Sequence, residues 1–169
     1  MKKLLKSKRV KEIEIKSVLQ VYDSFDELPG NIQELMQQSI TIRDKAYAPY
    51  SEFLVGAALL LENGEVVLGN NQENACYPSG LCAERTAIYY AGANFPEVPI
   101  VTMALSAKSL KYQLLTPTPP CGACRQAIAE YEVKQNMPIA IYFMGETGKV
   151  VKSSSLSNIL PLIFDNSYL

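Results

Sequence analysis

Polar and apolar residues alternate through Glu12-Ile13-Glu14-Ile15-Lys16, the period of a strand with one buried face, which predicts a strand within Val10–Tyr22. Asp23 to Gly30 reads as a loop closed by the breaker pair Pro29-Gly30. Ile32, Leu35, Met36, Ser39, Ile40 and Arg43 then fall at helical spacing. Asn31 is the candidate N-cap, and the helix should end before Ala48-Pro49, because a residue preceding proline avoids helical backbone. The apolar run Phe53–Leu61 suits a strand buried on both faces; Asn63-Gly64 supplies a hairpin turn and Val66–Gly69 the returning strand. After the polar, irregular stretch Asn70–Gly80, a helix is expected from Cys82 to the breaker Gly92, then a buried strand over Ile100–Leu105. A connection from Ala107 to Pro120 leads to a helix over Cys121–Glu132 and a strand over Ile139–Phe143. A turn at Gly145–Gly148, a short edge strand at Val150-Val151 and a helical turn over Leu156–Leu160 complete the chain. Strands alternating with helices, plus one hairpin, indicate an α/β layered domain with a mixed sheet.

Composition narrows the function classes. At 169 residues, 48% hydrophobic and 20% charged, the chain suits one ordinary globular domain. A net charge of -1 gives no electrostatic footprint for nucleic acid. The basic stretch from Lys2 to Arg9 reads as a solvated tail; no long apolar segment follows it, so neither a signal peptide nor a membrane span is expected, and the expected address is cytoplasmic. Four cysteines without an export signal point to metal or catalytic use instead of disulfides. Histidine is absent from the whole sequence. That excludes histidine-based general-base mechanisms and requires any zinc site to be built from thiolates and carboxylates.

The chemistry converges on two short motifs. Cys82-Ala83-Glu84-Arg85 pairs a thiol with a nearby carboxylate, and Pro120-Cys121-Gly122-Ala123-Cys124-Arg125 adds a C-x-x-C clip. Cys82, Cys121 and Cys124 together give the three ligands of a catalytic zinc site with a fourth position open to water. Both motifs open predicted helices, where unsatisfied N–H groups and the helix dipole favour thiolates. Arg85 and Arg125, beside the ligands, could donate to sulfur and trim the negative charge. Glu84 is the candidate for moving protons in zinc-assisted hydrolysis. Two other readings stay open at this level: a thioredoxin-like redox pair at Cys121 and Cys124, and a closed structural site with Cys76 as fourth ligand. The second leaves Glu84 without a role.

Cys82-Ala83-Glu84-Arg85-Thr86-Ala87 and Pro120-Cys121-Gly122-Ala123-Cys124-Arg125-Gln126 resemble the zinc motifs of the small, homotetrameric cytidine deaminases. The resemblance extends to Ala46–Ala58 and Asn71–Pro78, and spans the chain from about Ile32 to Leu160-Pro161. It implies a three-layer α-β-α domain over 30–169 with a mixed, mostly five-stranded sheet, and leaves 1–29 as an extension that could add a strand or a subunit contact. It implies one Zn2+ per subunit on Cys82, Cys121 and Cys124, Glu84 passing protons to N3 of the pyrimidine and to the departing ammonia, and a nucleoside substrate: cytidine, with deoxycytidine. By the same resemblance Asn71 and Glu73 bind the ribose hydroxyls, Phe53 packs on the nucleoside, Phe164 reaches a neighbouring subunit's site in a tetramer, and Tyr77 belongs to a subunit boundary. Without it, Phe53 reads as core and Asn71 and Glu73 as loop polars. The chain departs from the family at Asn70 and Gln72, where more apolar residues are usual, and in a longer connection over Ala107–Pro119. Relatives acting on nucleoside antibiotics are the nearest alternative; nucleic-acid deaminases are disfavoured by the missing first-motif histidine and the lack of a basic stripe.

Overall fold

The computed structural model describes residues 10–169; the basic stretch from Lys2 to Arg9 lies outside them. Nine regular elements follow one another: β1 (Gln20–Tyr22), α1 (Gly30–Arg43), β2 (Phe53–Leu61), β3 (Val66–Asn70), α2 (Ala83–Asn94), β4 (Ile100–Ser109), α3 (Gly122–Gln135), β5 (Ala140–Met144) and β6 (Val150–Ser153). The strands form one mixed sheet in the order β1-β6-β5-β4-β2-β3, with β4 and β5 parallel and the other neighbours antiparallel.

Strand alternation builds the three layers. Ala57 and Leu59 of β2, Met103 and Leu105 of β4, and Ile141 and Phe143 of β5 face one side, with Ala87 and Ile88 of α2 and Ile128 and Ala129 of α3. Ala58, Ala104, Tyr142 and Met144 face the other, with Ile32, Leu35 and Met36 of α1. Burial on both faces explains why β2 and β4 read as near-continuous apolar runs.

Glycines set how closely helices approach the sheet. A Cβ on Gly56 would run into the Ser39 carbonyl of α1. One on Gly69 of β3 would stand 2.6 Å from the Ala83 carbonyl and 2.7 Å from the Ala87 nitrogen of α2. The first turn of α2 therefore lies directly on β3, which fixes where its first residues point.

Several expected boundaries shift. The predicted strand within Val10–Tyr22 contracts to Gln20–Tyr22, because its partner β6 offers only Val150–Ser153; Tyr22 pairs with Val150, Val21 with Val151 and Gln20 with Lys152. For the same reason β6 is not an edge strand: β1 covers it, and the sheet has six strands. The helix α1 starts at Gly30, after Pro29, whose carbonyl receives the Ile32 and Gln33 N–H groups, so Asn31 is inside the helix and does not cap it. The helix α2 runs through Gly92 to Asn94; lacking a side chain, Gly92 leaves room for the Tyr131 ring of α3. The strand β4 continues to Ser109, which shortens the connection to α3.

Replacing Gly69 by alanine would press a methyl group against backbone atoms that cannot turn away. Gly69→Ala should cost about 1–3 kcal/mol and lower the thermal unfolding midpoint by about 3–10 °C. An unchanged midpoint in calorimetry would show the α2–β3 contact to be looser than described.

Candidate metal centre

Two helix starts meet above the sheet. Cys82 precedes α2 and Cys121 precedes α3, both with extended backbone, while Cys124 lies in the first turn of α3. Their carbonyls open the helical ladders: the Thr86 N–H donates to Cys82 O at 3.0 Å and the Arg125 N–H to Cys121 O at 2.9 Å. Cys124 is buried, Cys82 half-buried and Cys121 exposed. The Cys82 and Cys121 sulfurs are 4.0 Å apart and those of Cys121 and Cys124 3.5 Å, with all three within 4.8 Å of one another.

These spacings fit a zinc ion. Tetrahedral coordination with Zn–S bonds of about 2.3 Å places sulfurs about 3.8 Å apart. Cys76 is exposed and lies outside the cluster, so the closed four-thiolate site is not assembled. The redox-pair reading does not account for a third sulfur beside Cys121 and Cys124.

Hydrogen bonds prepare the thiols for this role. The Cys82 thiol is held down at about 5, first by its hydrogen bond with Cys124, against partial burial, and further by the Arg85 guanidinium. Cys124 is pushed up, because the shared proton stays on its sulfur and burial disfavours its thiolate. The Arg85 terminal nitrogen donates to Cys82 Sγ at 3.7 Å, as expected. Arg125 does not reach sulfur; it donates to the carbonyls of Pro120 and Ile159, both at 2.8 Å, and so braces the chain entering Cys121.

Glu84 sits in the first turn of α2 and is only 5% exposed. Burial raises its carboxyl to about 7 and the negative charge at Cys82 adds to the rise, while its own backbone N–H, the Cys124 thiol and Arg85 oppose it. A carboxyl poised near neutrality can both accept and return a proton.

An open cleft of about 410 Å³ is lined by Cys82 and Arg85 together with Tyr50, Ser51, Asn71, Glu73 and Tyr77; Glu84, Cys121 and Cys124 are not among its lining residues. The Asn71 side chain bridges the start of β2, accepting from the Val55 N–H at 2.8 Å and donating to the Phe53 carbonyl at 2.9 Å. Glu73 accepts from the Tyr50 and Ser51 N–H groups at 2.9 and 3.2 Å and from the Ser51 hydroxyl. Slight desolvation raises its carboxyl, but these bonds and nearby Lys111 outweigh it and hold the group below its ordinary range. The Gln72–Leu81 backbone pair ties this loop to the residue before Cys82. Phe53 is half-buried at the head of β2 and does not line the cleft. Phe164 is exposed, its ring stacked on Tyr168 with centroids 5.5 Å apart, and it too is outside the cleft of its own chain. Tyr77 tilts against Tyr50 at the rim, with centroids 6.0 Å apart. Ser51, the residue that grips Glu73, falls inside the Ala46–Ala58 stretch that carries the resemblance, but the sequence assigned it no role of its own.

Comparison with known proteins agrees with this geometry. The family profile described as "Cytidine and deoxycytidylate deaminase zinc-binding region" matches residues 29–139. The chain is 46% identical over 98 residues to the cytidine deaminase of Halalkalibacterium halodurans, covering 58% of this chain and 70% of that protein. It is 36% identical to the cytidine deaminase of Sporosarcina psychrophila, covering 82% and 95%. Among solved structures, cytidine deaminase from Burkholderia pseudomallei superposes with a TM-score of 0.68 at 34% identity, over 81% of this chain and 100% of that one. The enzyme from Mycobacterium tuberculosis gives 0.62 at 27% identity, over 81% and 99%.

The metal set is tested by elemental analysis of purified protein. Cys76→Ala should retain one zinc per chain, whereas Cys124→Ala should lose most of it; the reverse pattern would move Cys76 into the metal shell.

Proposed function

The chain belongs to the cytidine and deoxycytidylate deaminase family, and from that premise we propose that it hydrolyses cytidine, and deoxycytidine, to the corresponding uridine and ammonia. The observation that carries this reading is the placement of the buried Glu84 in the same helical turn that presents Cys82 to the other two sulfurs.

Cys82, Cys121 and Cys124 would hold the zinc ion, which supplies the Lewis acidity that makes water a nucleophile near neutral pH. Glu84 takes the proton that water gives up as its oxygen bonds to C4 of the base. It returns that proton to N3, then passes the proton of the new C4 hydroxyl to the exocyclic nitrogen, so that ammonia departs as the C4–N bond breaks and the C4 carbonyl forms. One water is consumed for each ammonia released. The bond from Arg85 draws charge from the Cys82 sulfur and so keeps a metal there electrophilic. Asn71 and Glu73 line the cleft, and we read them as the pair that meets the ribose hydroxyls. Phe53, half-buried at the head of β2 and outside the cleft wall, is left to the nucleoside contact that the family resemblance implies.

We read residues 30–169 as the catalytic domain and the working form as a homotetramer, with Phe164 contributed to a neighbour. The exposed rings of Tyr77 and Phe164 support this. Among the described residues no helix is long and apolar enough to cross a membrane. Four unpaired cysteines suit a reducing compartment, and we place the enzyme in the cytoplasm.

Glu84→Gln should keep its zinc by elemental analysis while kcat for cytidine falls by about 10²–10⁴. Arg85→Gln should keep the metal and lose about 10–100-fold. Normal turnover by Glu84→Gln, or full activity in a zinc-free preparation, would overturn the mechanism.

A further inference from the structure

The connection that leaves β4 after Ser109 and enters α3 at Gly122 has no part in the catalytic reading. It is nevertheless fastened at two places. Midway, the Leu114 carbonyl receives the Glu146 N–H at 2.7 Å, and a Cβ on Gly145 would run into that same carbonyl. At its start, the connection grips the turn that precedes β2. The Leu110 N–H donates to the Glu52 carbonyl at 2.9 Å. Lys111 Nζ donates to the Ser51 carbonyl at 3.3 Å and pairs with Glu52 Oε1 at 3.5 Å. The Lys111 N–H is itself tied to the Ser109 hydroxyl at 3.2 Å.

The turn held in this way is one that most residues avoid. Glu52 has φ +57°, the left-handed region, which is disfavoured for any residue carrying a Cβ. Its N–H donates to the Ala48 carbonyl at 3.1 Å, and Ser51 Oγ accepts from the Phe53 N–H at 3.0 Å. The same turn presents the Tyr50 N–H, the Ser51 N–H and the Ser51 hydroxyl to the Glu73 carboxylate. Strained backbone beside a binding group persists only where its surroundings hold it. Tyr50, Ser51 and Glu73 line the cleft, whereas Leu110 and Lys111 do not.

On the reading of Glu73 as a ribose contact, we propose that Lys111 is a positioning residue for substrate recognition. It braces the Ser51-Glu52 turn, and through that turn it fixes the Glu73 carboxylate. An exposed Lys–Glu pair taken alone contributes little. Here the ammonium group reaches a carbonyl and a carboxylate on two adjacent residues, beside the Leu110 N–H on the same turn. Lys111 touches none of the residues that hold the metal, so its loss should weaken substrate binding and spare the chemical step.

The test uses full-length, zinc-loaded protein and two measurements. In steady-state kinetics with cytidine, Lys111→Met should raise KM about three- to fivefold and leave kcat within about twofold. Lys111→Arg should stay within about twofold of the unaltered protein in both. In a Glu73→Gln background, Lys111→Met should change KM by less than about 1.5-fold, because the brace then has no carboxylate to fix. Hydrogen exchange of residues 50–52, followed by mass spectrometry, should be at least about twofold faster in Lys111→Met. An unchanged KM, an equal rise in the Glu73→Gln background, or a KM rise without faster exchange would each overturn the brace, the last leaving only a charge effect on Glu73. Absence of cytidine turnover in the unaltered protein would instead remove the ribose reading, and unchanged exchange would still count against the brace.

Discussion

The close seating of α2 on β3 is the constraint on which the site depends. Gly69 lets the first turn of α2 approach the sheet until its backbone touches the strand, and that contact sets the height of Cys82 and Glu84 together. The helix α3 arrives independently, through a buried Pro120 and the Arg125 brace, and delivers Cys121 and Cys124 to the same point. Three sulfurs from two helix starts then lie 3.5–4.0 Å apart along the two measured edges. A metal bound there would hold α2 and α3 together at their amino ends, so metal affinity and local stability are coupled.

With no histidine available, every ligand carries charge when deprotonated, and the surroundings are arranged for that. Helix amino termini and Arg85 favour the Cys82 thiolate, while Glu84, buried in the same turn, is driven toward its neutral form. Two acids two residues apart thus depart in opposite directions from their ordinary values. The difference arises from what touches them: a guanidinium and a shared thiol proton in one case, apolar packing and a neighbouring negative charge in the other.

Much of this was legible in the sequence, for identifiable reasons. The runs at Phe53–Leu61 and Ile100–Leu105 are buried on both faces, so their apolar continuity survives folding unchanged. The two cysteine motifs foretold the sulfur cluster because ligand spacing is local within each helix start. The errors occurred where a partner decides the outcome. Ile13 and Ile15 have strand periodicity but no neighbouring strand among the described residues, and Gly92 does not stop α2, its missing side chain leaving the space that the Tyr131 ring fills. Arg125 stands next to a ligand in sequence yet points to carbonyls, a matter of side-chain direction that spacing does not encode.

The bridge made by Asn71 carries a further consequence. Its amide closes the backbone of Phe53 and Val55 as an additional strand residue would, while the same side chain borders the cleft. The register of β2 at its open end and the shape of the cleft wall that Asn71 forms are therefore one structural variable. Fraying of β2 at Phe53 would blur substrate recognition while the three sulfurs, anchored on the helices, stayed in place. In such a protein, declining selectivity would be the earliest symptom of unfolding, ahead of any loss of metal.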